Sequence, residues 1–317
     1  MKTVIIDNNV TDIKPCVATI GFFDGVHMGH KFLIDYIREI AEDKGLESTV
    51  ITFDKHPRQV LKCDYMPKML STYEEKILLL SKTGVDNCAV LPFNKETSAL
   101  SAYDFMKDVL RDKLNVKVLV MGYDNRFGHN RSDSFDDYVR YGKELGIEVI
   151  PAQAFILNGV NVSSSVIRSY LDKGEIEMAN KCLGYPYFIA GKVVNGCHNG
   201  RKLGFPTANL EVDDADKLIP AAGVYAVKAR TEDSVGLKRA MMNIGTRPTF
   251  DGNQTSLETY ILNFKNDIYD EKLAISFFHR IRSERKFGSL DELTEQLAKD
   301  EDMVNEQFDR EHDFPEI

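Results

Sequence analysis

Residues 191–210 read GKVVNGCHNGRKLGFPTANL, a stretch crowded with glycine around which the second half of the chain can be interpreted. Its four glycines are Gly191, Gly196, Gly200 and Gly204. Glycine adopts positive φ angles and lets a backbone approach a ligand closely. Arg201 adds a cation, and Thr207 and Asn209 add neutral oxygens, a set that suits a nucleotide phosphate with a hard metal such as Mg²⁺. Each glycine taken alone favours a turn in a small barrel, whereas the ordered combination favours a phosphate-binding loop.

Residues 200–209, GRKLGFPTAN, resemble the flavin-binding and ATP-binding signature of riboflavin kinases, G-R-x-L-G-F-P-T-A-N. The match to that signature is complete. In bacteria a riboflavin kinase module commonly follows an FMN adenylyltransferase module in the same chain. The resemblance therefore implies that the first half of this chain carries nucleotidyl-transfer motifs.

The bulk composition is that of an ordinary soluble globular protein. The chain has 317 residues, 43% hydrophobic and 28% charged, which is enough for two domains with separate cores. The net charge of −9 argues against a nucleic-acid partner. The five cysteines are scattered and form no C-x-x-C pair, so we expect reduced thiols in a cytoplasm rather than disulfides or a zinc site. The sequence has no apolar run of the kind expected for a signal peptide or a membrane-spanning segment, so neither is predicted.

The first half contains a strand-to-helix pattern around two histidines. Residues 17–20 form a short apolar run, residues 21–30 read GFFDGVHMGH, and apolar residues then recur at helical spacing up to a stop at Gly45. His27 and His30 are thus expected at a helix N-terminus, where amides and the helix dipole attract phosphate. The run resembles the H-x-G-H motif of nucleotidyltransferases and, in its longer form, that of bacterial FMN adenylyltransferases. Zinc binding is not favoured because no further ligands have suitable spacing.

Three further segments of the first half resemble that family, each with one departure. Residues 53–57, FDKHP, stand where the family usually has F-x-P-H-P, with Lys55 in place of a proline. Residues 122–128, GYDNRFG, resemble its G-x-D-F-x-F-G loop, with Asn125 in place of a phenylalanine. Residues 163–168, SSSVIR, resemble S-S-T-x-I-R, with a serine in place of threonine. The serines are also suitable helix N-caps, so that simpler role stays open.

The resemblance implies roles for individual residues of this half. His27 and His30 would act in adenylyl transfer. Nucleotide or phosphate binding is implied for Gly21, Phe22, Asp24, Gly25, Ser163, Ser164, Ser165 and Arg168. Flavin binding is implied for Asp124 and Phe127. An arginine also suits bidentate phosphate contacts on chemical grounds.

Strands alternate with helices through the first half. Ser71-x-x-Glu74 predicts a capping box at the start of one helix, and a second helix is predicted over residues 99–114. Apolar runs at residues 87–93 and 117–121 predict buried strands. The alternation predicts an α/β fold with a doubly wound, Rossmann-like parallel sheet, whose ligands bind beyond the carboxyl ends of the strands.

Beyond Gly184 the pattern changes to successive β segments. We therefore predict an adenylyltransferase domain at residues 1–184 and a riboflavin kinase domain at residues 185–317. The predicted strands of the second domain are residues 188–194, 223–229, 239–244, 257–264 and 273–278. Short strands with intervening turns predict a closed, mostly antiparallel β-barrel. Ser289-x-x-Glu292 predicts a capped C-terminal helix, and the charged segment 306–317 is expected to fray.

Glu258 is the candidate base of the second half, since phosphoryl transfer needs a group near the attacking hydroxyl. Its strand pattern alone favours a solvent-exposed glutamate. The resemblance to riboflavin kinases places the catalytic glutamate at Glu258 and the metal and phosphate ligands at Thr207 and Asn209. It implies nucleotide binding by Gly191, Lys192, Gly200, Arg201, Gly204 and Pro206, and flavin binding by Arg282 and Phe287.

The favoured hypothesis is a bifunctional enzyme of FAD biosynthesis. With ATP as co-substrate and Mg²⁺ as cofactor, it would phosphorylate riboflavin to FMN and then adenylylate FMN to FAD, releasing pyrophosphate. Two alternatives remain: a riboflavin kinase with an impaired adenylyltransferase half, and a flavin-binding regulator without turnover. The chain has neither a Walker loop nor the H-R-D set of protein kinases. No nucleic-acid or membrane partner is expected, and a homo-oligomer is one option for its assembly.

Overall fold

The computed structural model describes residues 1–6, 13–56, 66–122, 125–129, 132–196, 200, 203–232, 236–249 and 252–310, leaving aside the side chains of 247–249 and 252–254. The chain separates into two compact units, Met1–Ser164 and Ser165–Ile317. The predicted boundary at Gly184, which concerns the functional modules, stays a prediction.

The first unit is built on a six-stranded sheet. Its strands are β1 (Lys2–Ile5), β2 (Cys16–Ile20), β3 (Glu47–Phe53), β4 (Asn87–Leu91), β5 (Val116–Met121) and β6 (Glu148–Pro151). They lie in the order β1-β4-β3-β2-β5-β6, and all neighbours are parallel. A separate antiparallel ribbon joins β7 (Ile156–Leu157) to β8 (Val160–Asn161). The predicted parallel sheet is confirmed.

Helices connect these strands. They are α1 (Met28–Lys44), α2 (Tyr73–Ser81), α3 (Lys95–Ala99), α4 (Ala102–Asp104), which continues into a π-helix (Phe105–Arg111), and α5 (Phe135–Leu145). α1 buries Ile34, Ile37 and Ala41 at helical spacing and ends at Gly45, whose φ is 65°. The predicted helix and its glycine stop are therefore confirmed.

The start of α2 lies one residue later than predicted. Thr72 is its N-cap and forms a capping box with Glu75, so the box predicted from Ser71 and Glu74 is wrong. Ser71 does not cap the helix because its hydroxyl donates a hydrogen bond to the carboxylate of Asp24.

The helix predicted over residues 99–114 is present over residues 102–111, as α4 and the π-helix that continues it, and it begins three residues later than predicted. α3 ends at Ala99, and Leu100 is extended. Ser101 then caps α4, its hydroxyl accepting a hydrogen bond from the amide of Asp104 at 3.1 Å. A serine that bonds locally to the backbone favours a new helix start over an uninterrupted helix.

The strand order of the sheet reverses between β2 and β5. From β2 the chain continues to β3 and β4 on one side, and from β5 to β6 on the other. Such a switch point leaves a crevice beyond the carboxyl ends of the two central strands, where doubly wound sheets bind ligands. The histidine motif follows β2 and the loop beginning at Gly122 follows β5, so both lead into this crevice.

The second half contains two helices, α6 (Ser164–Lys173) and α7 (Ile176–Leu183), and a closed barrel. The barrel strands are β9 (Phe188–Val194), β10 (Ala208–Val212), β11 (Gly223–Thr231), β12 (Lys238–Thr249), β13 (Gly252–Ile261) and β14 (Lys272–Arg282). They close in the order β10-β13-β12-β11-β14-β9, all antiparallel. The predicted barrel is confirmed. β10 was not predicted as a strand, because only Leu210 within it is buried and its hydrophobic pattern is weak.

The last helix, α8 (Leu290–Arg310), packs against one face of the barrel. Val304 and Phe308 of α8 lie in the same buried cluster as Phe278 of β14. The hydroxyl of Ser289 accepts a hydrogen bond from the amide of Glu292 at 3.2 Å, as expected of a cap. The segment predicted to fray from residue 306 is instead helical to Arg310, because Phe308 is anchored, and residues 311–317 lie outside the described chain. No helix of the described chain is long and apolar enough to cross a membrane.

Candidate active sites

The histidine motif begins α1 at the switch-point crevice. His27 is the N-cap of α1, and its Nδ1 accepts a hydrogen bond from the amide of His30 at 3.3 Å. In a neutral imidazole this leaves the ring hydrogen on Nε2, which can donate to a ligand oxygen. Gly29 permits a close approach, since a Cβ there would lie 3.2 Å from the carbonyl oxygen of Val162.

His27 and His30 form a stacked pair, with ring centroids 3.6 Å apart and planes inclined by 17°. Burial holds the pKa of His30 well below 6.5, and neighbouring His27 acts in the same direction. His30 is therefore neutral at physiological pH. Its Nδ1 is buried and has no hydrogen-bond partner among the described residues. Since buried polar atoms are normally paired, this nitrogen points to a partner supplied by a ligand.

Asp24 braces the turn that leads into the histidines. Its carboxylate, in a residue only 3% exposed, accepts hydrogen bonds from the amides of Leu70 and Ser71, both at 3.0 Å. The amide of Gly25 donates to the hydroxyl of Ser71, also at 3.0 Å. Phe23 has a left-handed φ of 56°, which is costly for a residue with a side chain. These hydrogen bonds show that Asp24 and Gly25 support a strained turn. Nucleotide binding by the two residues stays a prediction.

Gly21 and Phe22 are held by the neighbouring strand. The amide of Gly21 donates to the carbonyl oxygen of Ile51 at 3.0 Å, and the carbonyl oxygen of Phe22 accepts from the hydroxyl of Thr52 at 3.1 Å. The ring of Phe22 meets His56 edge-on, with centroids 4.7 Å apart. The histidine retained in the FDKHP segment therefore lies beside the histidine turn.

The loop after β5 is tied to the end of β2. The side-chain amide of Asn125 donates a hydrogen bond to the carbonyl oxygen of Ile20. Phe127 is only 8% exposed and packs on Tyr138, with ring centroids 4.7 Å apart. Core packing accounts for Phe127, so its contacts give no support to the predicted flavin role. Asp124 lies outside the described residues.

The serine segment reaches the same turn. Ser163 directly precedes α6, and the hydroxyl of Ser164, its first residue, donates to the carbonyl oxygen of Asp24 at 3.1 Å. Ser165 is exposed. Arg168 is half-buried within α6, and phosphate binding by it stays a prediction. The structure thus joins Ser164 to the histidine turn.

Glu258 stands between two asparagines on the barrel. The register of β13 places it opposite Asn209 of β10 and opposite Asn243 of β12. Directly opposed residues in antiparallel strands point to the same face, with Cβ atoms about 5 Å apart. Tyr260 and Met241 lie two residues from Glu258 and Asn243 on the same two strands, so their side chains point to the same face as these two. Both pack in the apolar cluster that includes α8. The carboxylate and both amides therefore share the outer face of the barrel, beside the part that α8 covers.

Two glycines allow tight approaches at this site. A Cβ at Gly196 would lie 2.1 Å from the amide nitrogen of Asn209, so a larger residue would displace that side chain. A Cβ at Gly200 would lie 2.3 Å from the carbonyl oxygen of Phe205 and 3.3 Å from the hydroxyl of Thr207. The amide of Phe205 donates to the carbonyl oxygen of Gly200 at 2.9 Å. A backbone hydrogen bond thus joins Gly200 to Phe205 beside Thr207.

Clefts adjoin both predicted metal ligands. A cavity of about 290 Å³ beside Thr207 is lined by Pro206, Thr259 and Tyr269 among others. Thr259 is fully buried, and its hydroxyl has no hydrogen-bond partner within the described part of the chain. A second cleft of about 410 Å³ adjoins Asn209. Concave sites with a mixed lining suit parts of a small organic ligand.

Arg282 is committed to an ion pair with α8. Its Nε lies 3.0 and 3.1 Å from the two carboxylate oxygens of Asp300, and its Nη2 lies 2.7 Å from one of them. Phe287 is half-buried, with its ring centroid 5.7 Å from the guanidinium carbon of Arg282. A carboxylate oxygen of Glu284 would lie 2.6 Å from a Cβ at Gly245, so this segment reaches the face that carries Glu258. Flavin binding by Arg282 and Phe287 stays a prediction.

The remaining predicted residues have local explanations. A Cβ at Gly191, within β9, would lie 2.1 Å from a backbone oxygen of β10, so strand packing accounts for this glycine. Lys192 pairs with Asp270 at 2.8 Å on the surface. Gly204 lies in an exposed turn with a φ of 83°. Arg201 lies outside the described residues.

Comparison with known proteins covers both halves. Residues 10–166 match the FAD synthetase family, and residues 183–308 match the riboflavin kinase family. The bifunctional riboflavin kinase/FMN adenylyltransferase of Escherichia coli (strain K12) is 37% identical over 293 residues, covering 92% of this chain and 93% of that protein. The Bacillus subtilis (strain 168) protein of the same description is 38% identical over 312 residues, covering 95% and 96%. The chain belongs to the bifunctional riboflavin kinase/FMN adenylyltransferase family.

A solved structure extends the similarity to the whole fold. A Streptococcus pneumoniae protein, described as a macrolide-efflux protein, is 32% identical with a TM-score of 0.87, covering 96% of this chain and 99% of that one. Membership of the bifunctional family makes the chain an enzyme of FAD biosynthesis that uses ATP as co-substrate. The bifunctional hypothesis is confirmed at this level, and the regulator without turnover does not hold.

Sequence reasoning missed four residues that support the motifs of the two candidate sites. They are Ser71 and Lys76 near the histidine turn, Asn243 opposite Glu258, and Asp300 beneath Arg282. Ser71 and Lys76 lie far along the chain from the histidine turn, whereas Asn243 and Asp300 lie on elements next in sequence to those of Glu258 and Arg282.

Proposed function

We propose that the barrel carries the riboflavin kinase reaction, with Glu258 as its base. Glu258 accepts the proton of the terminal ribityl hydroxyl while that oxygen attacks the γ-phosphorus of ATP. The observation that carries this proposal is the register that sets Asn209 and Asn243 on either side of Glu258. Two neutral amides can orient a carboxylate and hold hydroxyl or phosphate oxygens without repelling either.

Thr207 and Asn209 are proposed to hold Mg²⁺ together with the phosphates of ATP. Their hydroxyl and amide oxygens are hard donors, and Mg²⁺ usually keeps waters and substrate phosphates in the rest of its octahedron. Within the described chain no group of three His, Cys, Asp or Glu residues could hold a metal, which agrees with an ion bound largely through the nucleotide. When bound, the ion offsets negative charge on the phosphates.

The cavity beside Thr207 is proposed to take the base and sugar of the same ATP. It adjoins the loop of Gly200 and Gly204 that would enclose the phosphates. The unpartnered hydroxyl of Thr259 gives it a hydrogen-bonding group, and Tyr269 gives it an aromatic wall. A wall of mixed polar and apolar residues suits a nucleoside, which has a flat base and a polar sugar.

FMN adenylylation is assigned to the crevice beyond β2 and β5. The phosphate of FMN attacks the α-phosphorus of ATP, and pyrophosphate leaves. His27, through Nε2, and His30 donate hydrogen bonds to the reacting phosphate oxygens, while the N-terminus of α1 provides the positive end of a dipole. Ser164, which bonds to the histidine turn, orients the triphosphate. Catalysis then consists of positioning and electrostatic stabilisation, without a covalent enzyme intermediate.

Product analysis tests both assignments. Purified protein with riboflavin, ATP and Mg²⁺ should form FMN first and FAD later. His27→Asn keeps an N-cap acceptor for α1 but removes the imidazole, so FAD formation should fall by on the order of 10²-fold while FMN formation continues. Glu258→Gln, which keeps the shape but removes the base, should suppress FMN formation and spare FAD formation from supplied FMN. If each variant impairs both reactions equally, the assignment of the two sites is wrong.

A cytoplasmic location is proposed from the chemistry of the chain. The cysteines that the structure describes, Cys16, Cys88 and Cys182, are unpaired and buried. Free thiols are typical of a reducing compartment, where ATP is also present. Assembly as a homo-oligomer stays open.

A further inference from the structure

Lys76 is a buried cation beside the histidine turn. It lies in the first turn of α2 and is only 2% exposed. Its Nζ donates a hydrogen bond to the carbonyl oxygen of Phe53 at 2.8 Å. The same atom lies 4.2 Å from the ring centroid of Phe22 and 5.8 Å from that of Tyr73. The ammonium group thus connects α2, the end of β3 and the segment that follows β2.

This lysine is unusual because a buried lysine is normally paired with a carboxylate. The described residues give its ammonium group one hydrogen bond, to a neutral carbonyl, and no ion pair. Burial lowers the pKa of Lys76 to about 8, while Asp24, Cys88 and Asp54 act in the opposite direction. A methionine would fill the same space without the cost of burying a charge. The charge is therefore expected to have a function.

The contacts of Lys76 converge on the strained turn. Leu70 and Ser71, just before α2, hold the carboxylate of Asp24 through their amides. Lys76, one turn later, covers the face of the Phe22 ring while His56 meets that ring edge-on. A cation over an aromatic face is attracted to it, and the attraction is larger where water is excluded. The start of α2 therefore holds both the backbone and the first side chain of the turn.

We propose that Lys76 is a positioning residue for adenylyl transfer, whose charged ammonium group fixes Phe22 and so the turn that carries His27 and His30. It does not touch the substrate. This inference rests on the proposed assignment of FMN adenylylation to the two histidines. Deprotonation removes the attraction to Phe22 and to Asp24, so the turn loses one of its supports. FAD formation should then weaken as pH rises, and FMN formation should not.

The first test uses the unaltered enzyme. Initial rates of FAD formation from FMN, and of FMN formation from riboflavin, are measured with ATP and Mg²⁺ between pH 6.5 and 9.5. The ratio of the two rates should fall through an apparent pKa of about 8. Of the titratable groups around the ammonium, Cys88 has its pKa raised to about 11 and Tyr73 has its pKa raised from 10.0, so neither titrates in this interval. A ratio that stays constant over the interval overturns the proposal.

The second test compares two variants. Lys76→Met removes the charge and keeps the length, and Lys82→Met, at the exposed end of the same helix, is the matched control. Lys76→Met should lower kcat for FAD formation on the order of 10- to 100-fold, because small misplacements of reacting groups cost that much. The KM values for FMN and ATP should change much less, the fall near pH 8 should disappear, and Lys82→Met should resemble the unaltered enzyme.

The outcomes separate this inference from the proposed function. If Lys76→Met makes FAD at the unaltered rate, or keeps the fall near pH 8, Lys76 is not a positioning residue. If Lys76→Met misfolds and also loses FMN formation, the pH dependence of the unaltered enzyme decides whether the proposal stands. If His27→Asn still makes FAD, the proposed site itself fails. FAD lost in His27→Asn but normal in Lys76→Met overturns the inference alone.

Discussion

Removal of the Asp300 carboxylate should destabilise the barrel selectively. Asp300 is fully buried and accepts hydrogen bonds from Nε and Nη2 of Arg282 and from the side-chain amide of Gln296 at 2.8 Å. Its pair with Arg282 joins the end of β14 to α8. Asp300→Ala leaves the guanidinium of Arg282 partly buried without its counter-ion, and leaves Gln296 without that acceptor.

The expected loss in the free energy of unfolding follows from the burial of the ion pair between Asp300 and Arg282. Breaking a buried ion pair by removing one partner costs about 3–5 kcal/mol. The side chain of Arg282 keeps 19% of its surface exposed, so water relieves part of the cost and the lower end, about 3 kcal/mol, is expected. For a unit of this size each kcal/mol lowers Tm by about 2–4 °C, which gives a fall of roughly 6–12 °C.

Thermal inactivation provides the assay. Protein is heated briefly to a series of temperatures, cooled, and assayed for FMN formation and, separately, for FAD formation from FMN. The midpoint for FMN formation should fall in Asp300→Ala, and the midpoint for FAD formation should move less. Glu295→Ala is the matched control on α8, because the side chains of Lys299 and Glu295 are 61% and 69% exposed and an ion pair so open to water contributes little to stability. If Asp300→Ala lowers the midpoint no more than Glu295→Ala, the reasoning about the buried pair is refuted.

Two further predictions concern the two sites. Gly196→Ala places a methyl group 2.1 Å from the amide nitrogen of Asn209, so it should reduce FMN formation and raise the Mg²⁺ concentration that the kinase needs. An unchanged Mg²⁺ titration in Gly196→Ala would count against Asn209 as a ligand. Because the pKa of His30 is lowered in the folded state, the unfolded chain binds more protons below pH 6.5, and His30 costs stability as pH falls from there. In urea unfolding His30→Gln should therefore lose less stability between pH 7.5 and 5.5 than the unaltered protein, and equal losses would contradict a buried neutral His30.

The sequence correctly predicted those helices and strands whose formation depends mainly on residues close together in the chain. The apolar run before Gly21 became β2, and the periodic residues up to Gly45 became α1, because strand burial and helix ends depend on nearby residues. The helix predicted over residues 99–114 begins only at Ala102, because Ser101 caps it there. Ser71 looked like a cap, but a bond to Asp24, far away in sequence, outweighed the local preference.

Single residues of the motifs were harder to interpret than the motifs. Phe127 and Asp24 both stand in segments that resemble nucleotide or flavin sites. Phe127 packs in the core, and Asp24 holds two backbone amides. The identity of a phenylalanine or an aspartate near a site does not show whether that residue supports a loop or binds a ligand. Only its contacts distinguish these roles, and those contacts come from other parts of the fold.

The glycines show how one residue type serves two purposes in the same stretch. Gly191 is required because β10 passes too close for a Cβ, whereas Gly196 leaves room for the side chain of Asn209. The first is a matter of strand packing and the second shapes the proposed metal site. Neither can be derived without the closure of the barrel, which also brings Asn209 opposite Glu258. The proposed kinase site is thus set by strand register, a non-local property, and the sequence motifs mark its residues without showing that they meet.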